Sequence, residues 1–235
     1  MKLLPPKFKL FIKFSKNILL GGKIKKIKRM ITGRIVIVGI AIFLITVCVQ
    51  RQININRHLI KGIIYETEFQ FDEAIKEYKK GDNSIAVLNK LATLYNTLGE
   101  HDKAVKILTD IIKIENNNIE AHFDLAGTYY AMGLFDKAIR EYEIVLNLNP
   151  QSVVSLDNLG NIYFDMGKVD KAIEYYQRAI AINPNYAPAY NNLGNAYHSQ
   201  GRIEEAVAEY KKALSLDINF NLARQNLQLI EEELK

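Results

Sequence analysis

Two kinds of apolar pattern divide this chain. Ile35–Val49 is an unbroken apolar run of fifteen residues in which Thr46 is the sole polar side chain. It carries no polar stripe, which a helix lying on a soluble core would keep. As a helix the run rises about 22 Å, and starting it at Ile31 extends the rise to about 28 Å. A hydrocarbon core is roughly 30 Å thick, so the pattern predicts a transmembrane helix over 31–50. Arg34 would then snorkel to the headgroups on its long stem, and Arg51 would close the other end.

From about residue 55 onward, apolar positions recur at helical spacing and the whole pattern repeats. Tyr95, Tyr129, Tyr163 and Tyr197 lie 34 residues apart. Gly99, Gly133, Gly167 and Gly201 keep the same period, as do Ala104, Ala138, Ala172 and Ala206. Each unit predicts two helices. The glycine after the first can take the positive φ that closes a helix. Pro150 and Pro184 follow the second, which they stop because proline lacks the amide a continuing helix needs. One such pair cannot bury its own apolar faces, so neighbouring pairs must stack.

The clearest copy, Ala189–Asp217, has Tyr190, Leu193, Gly194 and Tyr197 in its first helix (A) and Ala206, Tyr210 and Ala213 in its second (B). These residues at this spacing resemble the tetratricopeptide repeat (TPR) family. The resemblance covers residues 55–235 and implies an all-α fold, a right-handed TPR α-solenoid. Its units are expected at 55–84 (degenerate), 85–118, 119–152, 153–186 and 187–220, with a capping helix at 221–235. In the degenerate unit, Gly62, Tyr65, Phe71, Ala74 and Tyr78 keep the spacing, Phe69 stands where the turn glycine belongs, and helix B is cut short. Gly160 and Gly194 are expected to face Ala172 and Ala206, where the two helices pass closely.

Charge separates the same two regions. Residues 1–61 hold 14 of the 31 basic side chains and no acid, which leaves 17 against all 26 acidic residues in the body, a net of −9. Eleven Lys and Arg precede the apolar run, from Lys2 to Arg34, and Arg51, Arg57 and Lys61 follow it. The positive-inside bias places the N-terminus in the cytoplasm and the TPR body on the extracytoplasmic side. Within the basic arm (1–30), residues 7–20 form an amphipathic pattern suited to an anionic headgroup surface, although a solvated arm fits them as well. Lys23–Arg29 could bind nucleic acid, but its place before a membrane span makes lipid the simpler partner. A cleaved signal peptide fits poorly, because its basic region would exceed thirty residues and no small-x-small site follows. Cys48 sits inside the run, where Val47 spoils a lipoprotein box, so an inert thiol is expected.

No phosphate loop, nucleophile elbow or zinc-binding His-Glu-x-x-His is present. His58 and His122 occupy the large-residue position of helix A and are expected to pack. Neither catalysis nor a cofactor nor a metal is expected, and no small-molecule substrate. In the TPR family helices A line the concave side, and helical periodicity projects a set of positions from each repeat into that groove. In the last repeats these are Asp157, Asn158, Asn161, Asn191, Asn192, Asn195 and His198, with Asp165 beside them. Upstream they are Asn89, Asn96, Phe123, Asp124 and Tyr130. Asparagine both donates and accepts, so a column of asparagines can hold an extended peptide backbone. This resembles the asparagine ladder of some TPR superhelices. The Lys/Arg carboxylate clamp of chaperone-binding relatives is missing, since Asp157, Asn161 and Asn192 stand at its places. The aspartates favour a neutral or basic segment.

These features together predict a single-pass, membrane-anchored TPR scaffold that binds a protein segment and helps to assemble a membrane or envelope complex. The abundance of Ile, Lys and Asn points to an AT-rich genome and a bacterial inner membrane. The alternatives are a self-associating spacer, or an accessory subunit of an export, pilus or polysaccharide-assembly enzyme.

Overall fold

The computed structural model describes residues 43, 45–49, 57–81 and 84–233. The chain divides into two compact units, 1–60 and 61–235. In the first, residues 43, 45–49 and 57–60 are helical, and Cys48 is exposed. The expected basic arm lies outside the described residues, as does most of the expected span. Among the described residues no helix is long and apolar enough to cross a membrane.

The second unit is all-helical over its described residues. Helical residues 61–67 precede α1 (Phe71–Lys80), α2 (Ile85–Thr97) and α3 (His101–Ile114). Next come α4 (Ile119–Ala131), α5 (Phe135–Leu148), α6 (Val153–Asp165) and α7 (Val169–Ile182). The last are α8 (Ala187–Ser199), α9 (Ile203–Leu216) and α10 (Asn221–Glu233). Helices α2, α4, α6 and α8 are A helices, and α3, α5, α7 and α9 are their B partners. Each A helix packs on the B helices before and after it, which makes the stack continuous.

One turn joins every A to its B. In the third unit the Leu134 amide donates to Tyr129 O (2.9 Å) and the Gly133 amide to Tyr130 O (2.8 Å). This pair of bonds is the Schellman closure, which places its middle residue in the left-handed region. Gly133 accordingly has φ 71°. Leu134 then serves as the N-cap of α5, so no residue of slack separates the helices. The degenerate repeat keeps both bonds, from Gln70 to Tyr65 O (2.8 Å) and from Phe69 to Glu66 O (3.1 Å). Phe69 therefore sits at φ 59°, and the residue is 81% exposed. A left-handed conformation costs a non-glycine residue about 1–2 kcal/mol. Phe69→Gly should leave the melting temperature unchanged or raise it, whereas Phe69→Val should lower stability by about 1 kcal/mol, because a β-branched chain fits this region worst. Thermal melts followed by circular dichroism would check both.

The core is built from columns in register. Ala74, Ala104, Ala138, Ala172 and Ala206 are wholly buried, and so are the rings of Tyr78, Tyr142, Tyr176 and Tyr210. The glycines of helix A lie against these rings, a contact the Gly–Ala reading did not include. A Cβ on Gly160 would lie 2.3 Å from the Tyr176 ring, and one on Gly194 would lie 2.6 Å from the Tyr210 ring. Gly62 and Tyr78 repeat the arrangement at 2.2 Å.

Helix α1 has 10 residues where α3, α5, α7 and α9 have 14, so the first unit is four residues shorter than the others. At the other end, α10 buries Ala223 and Ile230 against its neighbours. It carries exposed Arg224, Gln228 and Glu231 at the register positions of Tyr190, Gly194 and Tyr197. Those are the positions that face a following helix B, so polar chains there end the array.

Candidate ligand-binding face

The A helices stand side by side, and hydrogen bonds between their side chains run from each repeat to the next. Asn89 Nδ2 donates to Glu120 Oε2 (3.0 Å), and Asn96 Nδ2 to Thr128 Oγ1 (2.8 Å). The Tyr130 hydroxyl donates to Asp165 Oδ2. Asn192 Nδ2 donates to both Asp157 oxygens (3.1 and 3.2 Å). Asn226 Nδ2 donates to Asn191 Oδ1 and Asn195 Oδ1 (both 3.0 Å), and His198 Nε2 lies 3.1 Å from Glu233 Oε2. The sequence-predicted residues thus share one face, but much of their bonding capacity joins repeats together.

A second set of bonds anchors asparagines to the buried tyrosines. Tyr176 Oη donates to Asn161 Oδ1, and Tyr210 Oη to Asn195 Oδ1, each at 2.8 Å. Gly127 occupies the matching register position in the 119–152 unit and has no amide to offer. There Asn158 Nδ2 donates to Tyr142 Oη instead (2.9 Å). Phe123 packs edge-on against the same ring, with centroids 5.5 Å apart.

Two expectations need correction. Asp157 and Asn191 do not line open surface, since they are 5% and 4% exposed and sealed between neighbouring A helices. Their side chains are short and polar, so the adjacent repeats close over them and satisfy them internally. His122 packs as expected but also bonds, with Nδ1 2.6 Å from Glu141 Oε2 and Nε2 3.0 Å from Asn116 O. Sequence patterning missed the tyrosine hydroxyls, Glu120, Thr128 and Asn226. The signal for the hydroxyls was present: Asn161–Tyr176 and Asn195–Tyr210 repeat one fifteen-residue offset.

Burial marks the aspartates electrostatically. Desolvation pushes the Asp157 carboxyl up to about 6, while the Asn192 amide pulls it down. Burial also pushes Asp124 up to about 6, with Glu120 adding repulsion. A carboxyl whose pKa is higher folded than unfolded binds more protons when folded between the two values. Stability should therefore rise as pH falls from 7.5 towards 4.5 through this window, by about 1–3 kcal/mol for Asp157. Asp157→Asn should raise the melting temperature at pH 7.5 and remove its share of the pH dependence. Melts of both proteins at pH 7.5 and pH 5 would check it.

At the N-terminal end of the face, Ile85, Asn89, Lys90, Thr93 and Glu120 line a cavity of about 450 Å³. Asn89 Oδ1 is the sole buried side-chain N or O atom without a hydrogen-bond partner among the described residues. No group of three or more His, Cys, Asp or Glu there could hold a metal.

Stacked helix hairpins closed by left-handed turns, with a polar face running along helices A, define a tetratricopeptide-repeat scaffold. Family models described as TPR repeat and tetratricopeptide repeat match residues 97–156, 160–201 and 187–220. A crystal structure of MamA is 32% identical, covering 66% of this chain and 94% of that one, with a TM-score of 0.59. A second MamA crystal structure is 30% identical over 70% of this chain and 92% of that one, with a TM-score of 0.61. The chain belongs to the tetratricopeptide repeat family. A thermophilic TPR protein of Thermus thermophilus shares the fold at 20% identity, covering 74% of this chain and 97% of that one, with a TM-score of 0.60. No curated protein matches the sequence.

Proposed function

We propose that this protein is a membrane-anchored TPR scaffold that holds an extended segment of a partner protein along helices A. The carrying observation is the polar face itself, where Asn, Asp and aromatic side chains from consecutive repeats stand in one row. The half-buried Asp124 and the acidic Asp165 favour a neutral or basic segment. The apolar run 35–49, with eleven basic residues before it, supports a single span with a cytoplasmic N-terminus and an extracytoplasmic body. Anchoring would raise the local concentration of the scaffold for partners already at the membrane, which suits assembly of an envelope complex.

Site-specific photocrosslinking in intact cells tests the face. A crosslinker at Phe164 should capture a partner that one at Lys211, exposed on helix B, does not. Capture from Lys211 alone would overturn the reading. Alkaline extraction tests the anchor: the full-length protein should stay with the membrane pellet, and release into the supernatant would refute the span. Proteinase added outside spheroplasts should digest the body, and full protection would reverse the topology.

A further inference from the structure

The amides on the C-terminal half of the helix-A face have a direction, and Asp157 sets it. An ionised carboxylate only accepts hydrogen bonds, so Asn192 must turn its NH2 towards Asp157. Asn192 Oδ1 then points away and accepts from Asn191 Nδ2 (3.2 Å). Asn191 Oδ1 accepts in turn from Asn226 Nδ2, and the second hydrogen of that NH2 reaches Asn195 Oδ1. The relay crosses α6, α8 and α10, and flipping any one amide would set donor against donor or oxygen against oxygen. The Tyr210 hydroxyl, free to rotate, follows by donating to the same Asn195 oxygen.

Both lone-pair directions of Asn195 Oδ1 are therefore taken. Its Nδ2 has no partner, and it is not among the buried unsatisfied atoms, so it faces solvent. One repeat earlier Asn161 keeps the tyrosine bond alone, its oxygen accepting from Tyr176 and its NH2 unpartnered. Asn158 is oriented the other way, spending its NH2 on the Tyr142 hydroxyl and leaving its oxygen outward. The face thus offers outward N–H donors at 161 and 195.

We propose that Asp157 is a positioning residue that, through the amide relay, fixes Asn195 as an N–H donor to a main-chain carbonyl of a bound extended polypeptide, with Asn161 donating to a second carbonyl. This rests on the groove-binding reading above and adds the polarity of recognition. Backbone carbonyls are the acceptors that an extended chain of any sequence presents, which makes the pair a sequence-tolerant grip.

The test uses the full-length protein and a random peptide library displayed on phage, from which a binder without charged side chains is taken. Asn195→Asp keeps the oxygen that Tyr210 and Asn226 bond but removes the donor, and should weaken that peptide about tenfold. Asp157→Asn frees the relay to flip. It should weaken the peptide about threefold to tenfold, move the Asn195 side-chain amide resonance, and leave the melting temperature at pH 7.5 undiminished. Wild-type affinity and an unmoved resonance in Asp157→Asn would overturn the relay. Wild-type affinity in Asn195→Asp, with the peptide still crosslinking to helices A, would overturn the donor assignment while sparing the groove. Crosslinks confined to helices B would overturn both.

Discussion

Gly194→Leu should unfold the C-terminal repeats. The Tyr210 ring is fully buried, and a Cβ at residue 194 would already lie 2.6 Å from it. Leucine adds three further carbons to a helix that cannot back away, since Tyr190, Leu193 and Ala196 pin it on both flanks. Overpacking of this kind costs about 3 kcal/mol or more when no collapse or shift can absorb it. The alanine variant marks the boundary. Ala126 occupies the same register position above Tyr142, so one methyl can be accommodated when the ring adjusts. Gly194→Ala should stay within about 1 kcal/mol of the parent, because the gain in helix propensity offsets the shift. Repeat arrays lose stability locally, so the leucine variant should show an early transition for α8–α10 while the upstream repeats melt later. An unchanged melting curve would contradict the packing register.

Removing α10 should be nearly as damaging. Truncation after Phe220 exposes Tyr190 and Ala213, removes the buried Ile230 and Ala223, and deletes both Asn226 hydrogen bonds. Burial of one isoleucine contributes roughly 1.5–3 kcal/mol and each hydrogen bond about 1 kcal/mol, for an expected loss of about 3–5 kcal/mol. The bared surface is also apolar, and exposed patches of that kind associate. The shortened protein should melt earlier by differential scanning calorimetry and elute as higher species in size exclusion. A monodisperse fragment with the parent melting temperature would show that α10 does not cap the stack.

Helix positions, turns and the shortened first repeat were legible because periodicity reports them directly. The 34-residue registers locate each Gly turn, and Phe69 shows that the turn is set by the chain around it, since the backbone bonds form even where the residue resists them. Contacts across the hairpin were less legible. Gly160 sits seven residues before the turn glycine and Tyr176 nine after it, so distance from the turn brings the pair no closer than Gly160 and Ala172, and the reach of the Tyr176 ring decides the contact. Ala172, only five after, stands nearer the turn. The groove asparagines were found as a group but not by role. Periodicity reports which way a residue points, while the choice between facing a ligand and facing the next repeat depends on how closely neighbouring A helices approach. That distance is what seals Asp157 and Asn191 and leaves Asn195 open.

The shortened α1 shows where this architecture can change its length. Ala74 and Tyr78 are the fourth and eighth residues of α1, as Ala104 and Leu108 are of α3, so the four missing residues come off its C-terminal end and leave the packing face in place. The A–B turn holds no slack, so a single residue gained or lost before Tyr78 would swing that face by about 100°. A repeat can therefore be trimmed only beyond its last core contact, which makes its tail, and not its turn, the adjustable part.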